Sequence, residues 1–172
     1  DANTSCESVS RLAVSVVLND IAAPTVSQTT QEFCEIEEAT VASLQATGND
    51  IKWYESATST SELPETTSLI DGETYYATQT SASTGCESST RTLVTVNIFQ
   101  TPAPTTANAT QTFCAIDEAT ISDIVISGNS IIWYATESST TALNNSTLLV
   151  HGTEYWATQT DATTGCESKD RT

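Results

Sequence analysis

This chain repeats itself every 80 residues without a gap, and that limits its possible folds more than any other feature. Cys6, Cys86 and Cys166 each stand in a CES triplet 80 positions apart, and Cys34 and Cys114 keep the same spacing inside QEFC and QTFC. Trp53-Tyr54 returns as Trp133-Tyr134, Gly72 as Gly152, and YYATQT as YWATQT. Tandem duplication of this kind points to a small unit used more than once. Pro24 in AAPT, and Pro102 and Pro104 in TPAPT, mark the junctions, because proline stiffens a connection and cannot pair in a central strand. Three segments follow. Residues 1–22 are expected to be the C-terminal strand of a preceding repeat, 23–101 a complete repeat, and 102–172 a second repeat without its last strand. The second copy stops at Arg171-Thr172, where the earlier one runs on as RTLVTVNI. The expectation is a piece of a longer exported protein, its missing strand either truncated or supplied by a neighbouring molecule.

Composition narrows the function. The chain has 22 acidic and 5 basic side chains, for a formal net charge of −17. Nucleic acid is therefore not an expected partner, since phosphate neutralisation needs clustered Lys and Arg, and an anionic membrane surface is disfavoured for the same reason. The 33 Thr and 21 Ser make a polar surface, yet 38% of the residues are hydrophobic, enough for the core of a small β domain. No apolar run reaches the ~18 residues of a membrane helix.

Period-two alternation dominates. Val94, Val96 and Ile98 share one face of RTLVTVNI, as Val14, Val16 and Leu18 do in RLAVSVVL, while Ile51 and Trp53 lie opposite Lys52 and Tyr54. Thr, Val and Tyr suit pleated strands, and SASTG and DATTG read as hairpin loops. About seven short strands in some 80 residues predict an all-β fold of tandem immunoglobulin-like sandwiches with essentially no helix. Strands are expected near 31–36 (A), 40–46 (B), 51–55 (C), around 63, and near 68–70 (E), 74–80 (F) and 86–98 (G). Trp53 is then the buried tryptophan of strand C, and Tyr75, after the turn at Asp71-Gly72, resembles a tyrosine corner. A jelly roll or small barrel is the competing architecture.

Five cysteines in an acidic, Lys-poor chain point to an oxidising compartment. With one histidine and no C-x-x-C, a metal centre is not expected. Two pairing schemes use four cysteines: Cys34–Cys86 with Cys114–Cys166, leaving Cys6 for an upstream partner, or Cys6–Cys34 with Cys86–Cys114. The first is preferred, because strands A and G of such a sandwich run side by side and parallel, with Cys34 and Cys86 expected near their starts. A bridge within each unit leaves only about 28 residues per period free to extend under load, roughly 95 Å at ~3.4 Å each, against roughly 270 Å for all 80.

The ordered elements FC, EAT, WY, TSLIDGETYYATQT and GCES-x-x-R resemble the immunoglobulin-like repeats of very large Bacteroidota surface adhesins, including gliding-motility adhesins exported by the type IX secretion system. The resemblance implies a long extracellular filament of repeated sandwiches at the cell surface, anchored to the outer membrane. Its partners would be neighbouring repeats, a polysaccharide or solid surface, and, through other parts of the parent protein, the secretion and motility machinery.

Catalysis finds little support: His151 has no counterpart one period earlier, and no repeated nucleophile–base set exists. No cofactor is expected. The acidic patch Glu35, Glu37 and Glu38 lacks a calcium-loop pattern. The remaining candidate is an aromatic strip. If Trp53 and Tyr75 face inward, Tyr54 and Tyr76 face outward on adjacent strands, with Ile132, Tyr134 and Trp156 at the matching places, a face able to stack on sugar rings. The functions to be weighed are therefore a structural and adhesive module, a carbohydrate- or surface-binding module, and the spacer of a secreted hydrolase.

Overall fold

The computed structural model describes residues 10–172. Among these described residues six strands form two sheets: β1 (Thr30–Cys34), β2 (Ile51–Tyr54), β3 (Thr74–Gln79) and β4 (Thr92–Phe99) in the first unit, β5 (Ile132–Tyr134) and β6 (Trp156–Thr158) in the second. The first sheet has the order β1-β4-β3-β2 and the second pairs β5 with β6. The fold is all-β, its helical content confined to short 3-10 turns.

β4 is the organising strand. It runs antiparallel to β3 and parallel to β1, in the side-by-side arrangement expected of strands A and G. Its alternation places Val94 and Val96 inward, both fully buried, against Trp53, Tyr75 and Ala77. Across the core lies a layer of extended chain and 3-10 turn rather than strands. Residues 40–46, expected as strand B, instead form a 3-10 turn at Val41–Ser43 with one bridge, Thr40 to Ser68. The turn wins because the Ser43 hydroxyl accepts a hydrogen bond from the Thr40 amide at 3.2 Å, a local partner that competes with strand pairing. The strand expected around residue 63 is reduced to the Leu63 amide bonding the Trp53 carbonyl at 2.8 Å. Strand E is likewise only a bridge, though Leu69 still packs in the core.

Tyr75 makes the corner its sequence context suggests: its hydroxyl accepts the Ile70 amide at 3.1 Å, and Tyr155 does the same for Val150 at 3.0 Å. Gly72, at φ +76°, supplies the left-handed turn that precedes it.

The two units differ in completeness. The first has nine buried core residues, whereas the second has Ile121, Trp133 and Ala157. Among the described residues no counterpart of β4 covers the second sheet, and Phe113 is 38% exposed while Phe33 packs on the first core. The segment expected to end a preceding repeat forms no strand over residues 10–22. Leu12, Val14, Val16, Val17 and Leu18 all lie open to solvent, at 77–91% exposure.

Candidate functional site: the junction between units

Cys34 is bonded to Cys166, across the unit boundary, with Cα atoms 5.3 Å apart. Cys86 and Cys114 are free thiols. This corrects the pairing preferred from sequence, Cys34–Cys86 with Cys114–Cys166, and the alternative that joined Cys86 to Cys114. Cys6 lies outside the described residues. The reason is register. Cys34 ends β1 rather than beginning it, and it sits opposite Phe99, the last residue of β4. The Cys86 hairpin precedes Thr92, where β4 begins. A seven-step strand separates the two levels, about 23 Å at ~3.3 Å per residue, far beyond the ~4.4–6.8 Å Cα spacing of a disulfide. Cys34 therefore faces the next unit.

Around the bridge, the second unit seats its hairpin on the end of the first. Thr101, buried in the connection, donates its hydroxyl to the Cys166 carbonyl at 3.0 Å. Gln159 Nε2 donates to the Pro102 carbonyl at 2.8 Å, and Thr172 Oγ1 to the Pro104 carbonyl at 2.5 Å. Gln79 and Thr92 hold Ala22 and Pro24 in the same way, so each unit grips its own leading connection. Lys169 Nζ lies 2.9 Å from Glu38 Oε1. That hydrogen-bonded ion pair holds the Glu38 carboxyl below its ordinary range and raises the lysine. Beside the bridge, Glu38, Asp71, Gln100 and Lys169 border an open cavity of about 550 Å³.

Seating leaves a burial signature. Cys166 is 2% exposed and Glu167 half-buried, while Cys86 is half-buried and Glu87 exposed in the same hairpin one period earlier. Both hairpins are intact, so the extra cover on the second comes from the unit it rests against.

The aromatic strip does not form the open face expected of it. Tyr54 and Tyr134 are 5% and 6% exposed, and Tyr76, Ile132 and Trp156 are half-buried. The pairs Tyr54–Tyr76 and Tyr134–Trp156 face one another across their strands, and the guanidinium groups of Arg91 and Arg171 lie 3.8 and 3.7 Å from the Tyr54 and Tyr134 ring centres. Arg91 also donates to the carbonyls of Ser56 and Ser59, both at 2.6 Å. Under the rings, Tyr54 and Thr78 donate to Glu87 Oε1 at 2.8 and 2.6 Å, while Lys52 Nζ lies 3.5 Å from Oε2. Tyr134 and Thr158 repeat the first two bonds to Glu167. The Thr78 hydrogen bond leads the effects that lower the Glu87 carboxyl, helped by Tyr54 and Lys52 against partial burial. Burial leads those that raise Tyr54.

This explains the C-E-S-x-x-R recurrence, whose Glu and Arg had no assigned role. The glutamate takes the tyrosine hydroxyl and the arginine covers its ring, so the motif closes the hairpin over β2 and β3. Equal spacing from Trp-Tyr in both periods is the signal that links them.

Residues 22–99 match the family model described as Ig-like domain CHU_C associated, a family found in Bacteroidota surface proteins. The chain thus carries an immunoglobulin-like domain. No curated protein and no solved structure matches it. Among the described residues no helix is long and apolar enough to cross a membrane.

Proposed function

We propose that this chain is a structural module of a long extracellular filament or stalk, in which consecutive immunoglobulin-like units are clasped to one another rather than each within itself. The supporting observation is the Cys34–Cys166 bridge, which joins two units already connected through Thr101–Pro104. Two covalent links between neighbours restrict hinging more than a proline linker does alone. Under tension the bridge carries force around the 132-residue loop it closes. Adhesion to a polysaccharide or solid surface, and anchorage to the outer membrane, belong to the same reading through the surface-protein family of residues 22–99.

The test is display on intact bacteria producing the parent protein. Antibody against this chain should label unpermeabilised cells, and external protease should remove the label. Labelling only after permeabilisation refutes a surface role. Loss of attachment to polysaccharide-coated or glass surfaces after antibody masking separates an adhesive module from an inert spacer.

A further inference from the structure

β2 is the outermost strand of its sheet, and one of its long edges is nearly bare. The Trp53 carbonyl points away from β3, since it accepts the Leu63 amide at 2.8 Å. In an antiparallel strand the amide of the same residue shares that direction, and so do both backbone groups of Ile51, two positions earlier. Among the described residues Leu63 is the one backbone partner on this side. Ile51 and the Trp53 amide therefore present donors and an acceptor of the kind another extended chain can pair with.

Beside that edge lies a groove of about 260 Å³. Val41, Leu44 and Trp53 make its apolar floor, half-buried Leu63 stands at one wall, and the exposed Glu62 and Glu65 border it. The wall is pinned in place: the Glu65 carbonyl accepts the Ala42 amide at 3.0 Å, and the Pro64 carbonyl accepts the Thr67 amide at 3.0 Å. The described ion pairs leave both border carboxylates without a cation. Lys52 alternates to the opposite face of β2, where it lies 3.5 Å from Glu87, and Lys169 takes Glu38. The second unit offers a contrast within the same chain. One period later, Ala142 and Asn145 stand in place of the two glutamates, and Ala142 forms a bridge with Tyr134 on the strand edge.

We propose that the first unit captures an extended peptide along the free edge of β2, with an apolar side chain over Trp53 and a Lys or Arg two residues away against Glu62 and Glu65. Pairing with Ile51 and Trp53 supplies affinity without regard to sequence. The groove and its carboxylates supply preference, because residues i and i+2 of an added strand face the same side. Charge selects the occupant: at −17 the chain repels acidic segments, and two carboxylates beside an apolar floor favour a segment both basic and apolar. The free backbone groups are spaced along a strand, which suits a polypeptide rather than a sugar. Every residue involved lies within 41–65 of the first unit, so the capture does not depend on how the cysteines pair or on the filament reading above.

The experiment titrates the isotope-labelled 172-residue chain with the capped peptide Thr-Leu-Thr-Lys-Thr and follows backbone amide signals by nuclear magnetic resonance. The signals of Ile51 and Trp53 should shift together, with half-saturation below about 1 mM, while those of Ile131 and Trp133 stay in place. Methylating the peptide nitrogens that face β2 should abolish the shifts, because it removes the strand pairing and keeps the side chains. Changing Glu62 and Glu65 together to Gln should weaken binding about fivefold, the worth of two exposed ion pairs. Both side chains are exposed, so melting should not change. Replacing the peptide's Lys by Glu should weaken binding further, and added salt should narrow the gap between the two peptides. No shift up to about 5 mM peptide, equal shifts in both units, binding that survives nitrogen methylation, or equal binding by the Glu62→Gln, Glu65→Gln chain overturns the proposal.

Discussion

Pulling the chain from its two ends gives a quantitative test of the clasp. The Cys34–Cys166 bridge closes a loop of 132 residues, which hides about 450 Å of contour at ~3.4 Å per residue. With the bridge intact, force passes from Cys34 to Cys166, and unfolding either unit releases almost none of that length. Adding reductant, or changing both cysteines to Ser, should expose it, with the first unit supplying the larger unfolding event because its core is more complete. Bridges within each unit would give another record: two loops of 52 residues, each withholding about 180 Å. The equilibrium counterpart is entropic. Closing 132 residues stabilises the folded pair by about 5 kcal/mol in the chain-entropy picture, so reductant should lower the denaturant midpoint of the two units together. The assay is single-molecule force spectroscopy with and without dithiothreitol, repeated on the Cys34→Ser, Cys166→Ser chain. Contour gains unaffected by reductant, or two separate gains near 180 Å, would refute a bond between units.

Other consequences follow from the same geometry. Changing Tyr134 and Trp156 to Ala should lower the second unit's melting temperature, because Tyr134 is buried beneath Arg171 and bonded to Glu167; unchanged melting with loss of sugar binding would restore the open-face reading. Tyr75→Phe should cost about 1 kcal/mol by leaving the Ile70 amide without its acceptor, measured by urea unfolding, and Tyr155→Phe should do the same in the second unit. The Glu87 carboxyl is lowered in the folded state, so its contribution is present above the ordinary glutamate range and lost as pH falls through the lowered value. Tyr54 is raised, so its contribution is present below the ordinary tyrosine range and lost as pH rises toward the raised value. Stability should therefore plateau between these limits, and Glu87→Gln should flatten the acid side; an unchanged acid limb would remove Glu87 from the explanation.

The sequence made some parts of this molecule readable and hid others for identifiable reasons. Alternating Val94 and Val96, the Trp53 position and the turn before Tyr75 carry their structural meaning locally, so β2, β3, β4 and the tyrosine corner could be read directly. Strand B could not, since Thr40 has a partner three residues away in Ser43, and Thr120 has one in Asp123. The cysteine pairing is hidden by the repeat itself. A strict period offers the same residue types within a unit and across its boundary, and only the β1–β4 register, with Cys34 at Phe99, sends the sulfur outward. Tyr54 faces away from Trp53 as alternation requires, yet it is buried because Arg91, 37 positions later in the chain, returns over its ring.

Non-reducing peptide mapping addresses the inter-unit bond most directly. Trypsin cutting at Arg11, Lys52, Arg91 and Lys169 places Cys34 in 12–52, Cys86 in 53–91, and Cys114 with Cys166 in 92–169. Thiols blocked before digestion, followed by a second protease to separate Cys114 from Cys166, should yield peptide 12–52 bonded through Cys166 to 92–169 in the monomer fraction. Recovery of 12–52 bonded to 53–91, with Cys114 bonded to Cys166, would contradict it.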